Sequence, residues 1–591
     1  MKPRALGAVL VSAAVAIAAL APPRIAAQQP PVPNVAPGYR APAAVPSAPA
    51  IAGVVAEPFV GISLQDAVAM ALARNPQLAV SASNVRIARF NVVEAKGSFD
   101  VQLHLQPSSS YSAQPPQNLF FAGPGLGGIY ECQGIGFPPP PPYKCTVVGP
   151  GNIIQHQYQF QGGFAGQTLN GATWGAGIVR TRTINNTIIN TFNPAYQSSL
   201  NLQLTQPLLR NFGMNASKRQ LKLSMVAVDA DAARALVDAS NTIAQVEDTY
   251  WDLVAAWRNV AIQEDAVREA IAQQRSTVRL ARAGAAPPVT AVEAQTQVSA
   301  FENNVVVALQ NVAVLQNQLK RLLVTDPNDS IWSANLVPSS PVQQLPNTDD
   351  LAAVIAQAQQ RRPEVRIAQD QRQQAEIDRA YARNQALPQA DLQVGLMSNG
   401  FAGVLAPEPT FEHEECTFQS PGVCPTPPPY TIGKMGQATS NMWSFRFPAF
   451  NIALVANFPL HNAFARGLEG AASQEQHEAA IGMQGVQERI VVESRLALQR
   501  YQTALSQLYA ARRSREAAEA VYASEVRQFH AGASTTFLVL QREVEMAQAR
   551  GAELQAQTSL NKAVVELQRV EGTILSANNV QVDNLGTKAL P

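Results

Sequence analysis

Charge of either sign is scarce in this 591-residue chain and neither sign prevails: 43 acidic groups stand against 44 basic ones, together 15% of residues. A chain without a basic surplus offers no electrostatic footprint for a phosphate backbone, which excludes nucleic acid as a partner. Cysteine is nearly absent, four residues arranged as Cys132 with Cys145 and Cys416 with Cys424. Their spacing fits no tetrahedral zinc framework. Each pair lies inside one Pro/Gly-rich insertion, and in an oxidising compartment such local pairs read as loop-closing disulfides. The HExxH, GxxxxGK[ST] and GxSxG patterns are missing, so no catalytic site, cofactor or metal is expected. Beyond the N-terminal segment no apolar run reaches the ~18 residues of a spanning helix. If the mature chain sits in a membrane, strands must carry it there.

Residues 1–27 have the form of a signal peptide: Lys2 and Arg4 precede an apolar stretch from Ala5 to Leu20, and Ala26-Ala27 form a small-residue exit. No cysteine follows that stretch, which argues against a lipid-anchored N-terminus. A Pro/Ala-rich linker occupies 28–58, and a polar tail is expected over 577–591. Two weak ligand patterns occur. The glycine cluster Gly123 to Gly128 lacks a strand-to-helix context and reads as loop. Glu412-His413-Glu414-Glu415-Cys416 has metal-ligand chemistry but reads better as a solvated loop around a disulfide cysteine.

What is present is one plan written twice, over 59–345 and 346–576. Each copy opens with a helix interrupted by proline, Leu64 to Lys96 at Pro76 and Leu351 to Leu387 at Pro363. Strict alternation follows. Phe99, Val101, Leu103 and Leu105 alternate with polar residues, as do Leu392, Val394 and Leu396, the pattern of a barrel strand with lipid on one side and water on the other. Returning strands run through Leu200, Leu202 and Leu204 and through Phe450, Ile452 and Leu454, each ending at a proline, Pro207 or Pro459. The long segments between them, 107–196 and 397–449, have the composition of surface loops. A further hairpin over Gln155 to Gln161 and Thr173 to Thr183 is a secondary reading of the first.

Long coiled-coil seams come next. Ile243, Val246, Tyr250, Leu253, Trp257 and Val260 step by three and four, as do Val298, Phe301, Val305, Ala308, Val312, Leu315, Leu319 and Leu322. The second copy keeps the seam with smaller side chains, through Leu498, Tyr501, Leu508, Leu560, Leu567 and Val570. Tyr250, Trp251 and Trp257 accordingly read as packing rather than as a stacking site. Between the long helices lie two turns, Ala283 to Pro288 and Ala531 to Thr536, where glycine closes one helix and Pro288 or Thr536 opens the next. Four strands cannot close a barrel, and an open edge in lipid costs several kcal/mol per unpaired group, so several protomers must share it.

The duplicated order of helix, strand, loop, strand, long helix, glycine turn and long helix resembles the outer-membrane efflux (TolC) family over about residues 60 to 576. The stretches that carry the likeness are SLQDAVAMALARNPQLAVSA, LTQPLLRNFG, LARAGAAPPVTAVEAQ and FHAGASTTFLVLQRE. The resemblance implies an α+β membrane protein built from two internal repeats: a homotrimer whose transmembrane β-barrel takes four strands per protomer, continued by a long α-helical coiled-coil barrel. It also implies residence in outer-membrane lipid of a Gram-negative cell, with the helices in the periplasm. The function implied is a passive exit duct of a tripartite efflux or type I secretion system, docked to a periplasmic adaptor (membrane fusion protein) and an inner-membrane pump. The turn residues Gly284, Ala285, Pro287, Pro288, Gly532, Ser534 and Thr536 would form the tip that meets the adaptor. Family members carry two acidic gate residues after the second turn, but alignment on Gly532 puts Leu538 and Gln541 there, with Thr290 and Glu293 as first-copy equivalents. The acidic gate therefore does not carry over. A Leu538 ring would restrict flow as an apolar collar; strong block by multivalent cations would instead point to Glu293 or Glu543 as the acids that face the lumen. The competing reading is a secreted or periplasmic coiled-coil scaffold or adaptor whose strands pair in a soluble sheet.

Overall fold

A computed structural model describes residues 59–115, 129–132, 145–148, 152–186, 190–340, 350–406 and 427–580, with backbone alone for 129–132 and 145–148. The expected signal peptide and linker, Gly123 to Gly128, the Glu412–Cys416 cluster, Cys424 and the tail from 581 onward lie outside the described residues.

In chain order, β1 (Phe59–Ile62), α1 (Leu64–Arg74) and α2 (Pro76–Gly97) precede β2 (Gln102–Gln114), β3 (Ile129–Cys132), β4 (Cys145–Val148), β5 (Ile153–Gln167), β6 (Thr173–Asn185) and β7 (Phe192–Pro207). Two long helices follow, α3 (Ala216–Arg282) and α4 (Pro288–Leu323), then β8 (Asn335–Pro338). The rest comprises α5 (Leu351–Arg361), α6 (Pro363–Gln385), β9 (Gln389–Leu405), α7 (Met435–Trp443), β10 (Phe447–Asn457), α8 (Ala463–His530), α9 (Thr536–Glu571) and α10 (Ile574–Ala577). Both proline interruptions fall where the sequence puts them. Asn75 and Arg362 take extended conformations between the paired helices, because a residue before proline is driven out of the helical region.

Two compact units cut across the sequence halves. One is formed by the described parts of Met1–Ala79, Asp238–Arg362 and Ile490–Val582, the other by Val80–Val237 and Pro363–Arg489. In the first, the expected seams are the core: Ile243, Val246, Tyr250, Leu253, Phe301, Val312 and Leu319 are buried together. Tyr501, Leu508, Leu560, Leu567 and Val570 bury in a second cluster with Val354. The parallel pair β1–β8, unanticipated from sequence, is held by this core. Tyr250 donates its hydroxyl to the Ile62 carbonyl at 3.1 Å, and the Trp257 indole donates to the Leu336 carbonyl at 3.0 Å. The aromatics thus pack, as read, and their polar ends fix strand backbones. Helix α4 is long and apolar enough by length and composition to cross a membrane, contrary to the sequence reading. Its apolar stripe from Val298 to Leu323 is buried in this core.

The second unit corrects the strand count. One antiparallel sheet in the order β10-β9-β7-β6-β5-β2 holds six strands, not four. The secondary reading of a hairpin within 107–196 is the right one, β5 and β6 sitting between β2 and β7 in unbroken register. Strand β2 begins later than expected, since Phe99 lies in a turn closed on Lys96. It then runs through Pro107 to Gln114, into the supposed loop. Proline is tolerated there because β2 is an edge of the single-chain sheet.

Candidate functional site: a two-faced sheet and two helical turns

Strand register sorts every side chain of the sheet onto one of two faces. Across the rungs, His104, Gly163, Gly177, Asn201, Met397 and Ala449 share one face, as do Gln161, Val179, Ser199, Asn399 and Phe447 one step along. Gln155, Gln157, Gln159 and Gln161 of the inserted hairpin continue the polar series of Gln197, Ser199, Asn201 and Gln203. A groove in the sheet is lined by His104, Gln161, Gly175, Asn201, Gln203 and Asn451 of this face, together with residues of the strands' other face such as Leu202 and Leu396. Glycine is required on this face: a Cβ on Gly163 would lie 2.7 Å from the Ala176 carbonyl oxygen of the next strand.

The opposite face carries Leu103, Phe164, Ala176, Leu202, Leu396 and Phe450 in one continuous rung. Leu105, Phe160, Leu204, Ile452 and Leu454 extend it, and Phe450 and Ile452 are 80% and 70% exposed. A soluble surface rarely presents so large a continuous apolar patch.

Each long-helix turn is a Schellman closure. Gly284 takes φ +73 and donates to the Ala281 carbonyl, while the Ala285 N–H reaches Leu280; Gly532 takes φ +77 and donates to Phe529, with Ala533 reaching Gln528. Pro287 then caps α4 with Pro288 in its first position, and Thr535 caps α9 just before Thr536. The Thr535 hydroxyl accepts from the Leu538 N–H at 3.4 Å, and the Ser534 hydroxyl donates to Glu525. Of the gate candidates, Thr290 turns its hydroxyl onto the Pro287 carbonyl at 2.7 Å, Glu293 is exposed, Leu538 is half-buried, and Gln541 donates to Glu545 at 3.1 Å. Sequence reading missed Val289, Val292 and Phe537, all more than half exposed beside the turns. Their signal is an apolar residue off the seam within a helix's first five residues.

Glu543, the alternative should the apolar collar fail, does not fit that role. It is fully buried, neither carboxylate oxygen has a partner among the described residues, and desolvation, helped by Glu269, pushes it up to about 8. A buried side chain cannot line a lumen. Burial likewise raises Glu269, which lies 3.5 Å from Arg550, and Tyr522. Further along the same unit it lifts Glu247 to about 7, against a 2.7 Å hydrogen bond from Asn578.

No protein-family model and no curated protein matches the sequence. Solved structures do. The outer-membrane channel OprN superposes with a TM-score of 0.56 at 17% identity, over 91% of this chain and 99% of that one. The Campylobacter jejuni CmeC outer membrane channel gives 0.56 at 15% identity, over 86% and 85%. The open-state MtrE outer membrane channel of Neisseria gonorrhoeae gives 0.54 at 14%, over 87% and 89%. The chain has the fold shared by these outer-membrane channels.

Proposed function

We propose that this protein is an outer-membrane exit duct of the TolC type, a passive conduit whose sheet wraps into a transmembrane barrel and whose helices wall a periplasmic passage. The observation that carries this reading is the two-faced sheet: an exposed apolar face suits acyl chains, and the Gln/Asn/Ser series of the other face suits water. Edge strands β2 and β10 run in opposite directions because the strand number is even, so each can pair antiparallel with the next copy. Three copies of six strands, the stoichiometry the TolC-like plan suggests, give eighteen strands rather than twelve. Barrel diameter grows about linearly with strand number, so the wall would be roughly half as wide again. The turns at Gly284, Ala285, Pro287 and Pro288 and at Gly532, Ser534 and Thr536, with exposed Val289, Val292 and Phe537, supply a compact apolar tip for a periplasmic adaptor serving an inner-membrane pump. Drug efflux and type I protein secretion both fit such a duct.

Detergent-extracted full-length protein should appear as a trimer by native mass spectrometry and conduct ions in planar bilayers. A protein that stays dispersed without detergent, as a monomer with no conductance, would instead be a secreted coiled-coil scaffold.

A further inference from the structure

We propose that α7, laid across the loop end of the apolar face beside Arg180 and Arg182, forms a docking surface for the twice-phosphorylated headgroup of lipopolysaccharide. The inference rests on the outer-membrane reading above, which turns the loop end of the sheet toward the outer leaflet.

Along β7 the apolar series Leu204, Leu202, Leu200 ends at Ser198 and Tyr196. From Leu204 to Tyr196 is eight residue steps, roughly 27 Å along a strand and about 20 Å along the membrane normal at usual barrel tilt. At this upper limit β6 places Arg180 opposite Ser198 and Arg182 opposite Tyr196. Helix α7 packs at the same level on the same face. The Ser198 hydroxyl donates to the Met442 sulfur at 3.2 Å, and Ser398 donates to the Met442 carbonyl at 2.6 Å. Asn441 donates to the Phe401 carbonyl at 2.9 Å. Gly400 permits this contact, for a Cβ there would lie 1.8 Å from the Ala438 carbonyl oxygen.

The helix brings its own interfacial groups. Lys434 stands at its N-cap, and Trp443, Phe445 and Arg446 are exposed at its other end. Arg446 lies 4.2 Å from the Tyr430 ring centroid and Arg182 lies 5.9 Å from that of Tyr158, the aromatic-cation pairing of a membrane interface. None of Arg180, Arg182, Lys434 and Arg446 has a carboxylate partner among the described residues, and the Arg180 Nε is buried without a hydrogen bond. Arg180 and Arg182 stand two residues apart on β6, while Lys434 and Arg446 flank the two ends of α7, so the positive charge is spread across the surface and calls for more than one negative group. Guanidinium groups match phosphate in bidentate fashion, and one headgroup with two separated phosphates answers that spread where a single phosphodiester leaves most of it uncompensated.

The test uses the full chain in detergent with purified lipid A as probe, read by native mass spectrometry, which reports assembly in the same spectrum. The parent trimer is expected to retain lipid A. The triple variant Arg180→Gln/Arg182→Gln/Arg446→Gln should still assemble but lose occupancy at least tenfold, as should the parent offered dephosphorylated lipid A. Equal retention by parent and variant would overturn the proposal. So would equally tight binding of phosphatidylglycerol, which would assign the surface to any anionic lipid. Binding that emerges only after deletion of 408–415 would assign the cations to that acidic tract, with the same consequence. Bilayer conductance tests the duct separately: its absence from a parent that binds lipid A sinks the duct and leaves this surface standing.

Discussion

The two halves of the chain match in their helices and part company between their strands. Helices α3 and α8 have 67 and 68 residues, and α4 and α9 have 36 each. Between β2 and β7, however, the first half inserts the hairpin β5–β6 into the sheet, whereas between β9 and β10 the second half lays α7 on the sheet's apolar face. Equal helix lengths are what a shared bundle demands, since an extra turn in one helix leaves its seam without a partner. The loop end carries no such constraint. One insertion widens the sheet and the other covers part of its apolar face.

The largest expected effect comes from erasing the difference. Deleting 115–190 and closing β2 onto β7 with a two-residue turn should leave an assembled ring whose barrel diameter, measured by electron microscopy, is smaller by about a third. An unchanged diameter would remove β5–β6 from the barrel wall. A second contrast lies in α9 against α4, where Glu543 is buried and its first-half equivalent Gln295 is exposed. Because the folded-state value of Glu543, about 8, exceeds its ordinary 4.5, the folded form holds the proton more tightly. Stability then falls as pH rises from 4.5 through 8. Glu543→Gln should therefore stabilise the protein by on the order of 5 kcal/mol at pH 9 and change nothing at pH 4. Gln295→Glu should show no such slope; thermal melts across pH decide both.

Smaller effects are expected at the turns. Gly284→Val and Gly532→Val each force a β-branched residue into positive φ, at about 1–2 kcal/mol, and should lower efflux while trimers persist. Loss of the trimer would make the turns assembly elements instead. Leu538→Asp should add block by divalent cations in planar bilayers that the parent lacks, and Thr290→Asp tests whether the first-half helix faces the same lumen. Strong block in the parent would overturn the apolar collar. Least visible in function would be the expected disulfides. The β3–β4 register sets Cys132 opposite Cys145, so non-reducing peptide mapping should recover that pair and, in the second insertion, Cys416 with Cys424. Cross-insertion pairs would refute both.

The helical architecture was legible because its signals are long or chemically singular: seams from Ile243 to Val260 and Val298 to Leu322, prolines at 76 and 363, and glycines at 284 and 532 that positive φ demands. The hairpin β5–β6 was only half legible. Gly162, Gly163, Gly166, Gly175 and Gly177 give it the composition of a turn, although close strand approach is what they serve. Pro107 and the serines after it disguised β2 as loop. Helix α7 spans nine residues and buries only Ala438, Asn441 and Met442, too short a pattern for periodicity to register. Glu543 reads as one more polar residue of a coiled coil, and only the packing around it reveals the burial.

The unbroken rungs from β2 to β7 constrain how such a protein changes calibre over evolutionary time. An added strand must keep both its direction and its inside-outside phase, or its glutamines would meet lipid and its phenylalanines water. Single strands therefore cannot be gained or lost; only whole hairpins in phase can, as β5–β6 is. In a threefold assembly each such event adds six strands to the wall at once, so pore gauge in this architecture advances by quanta rather than by drift.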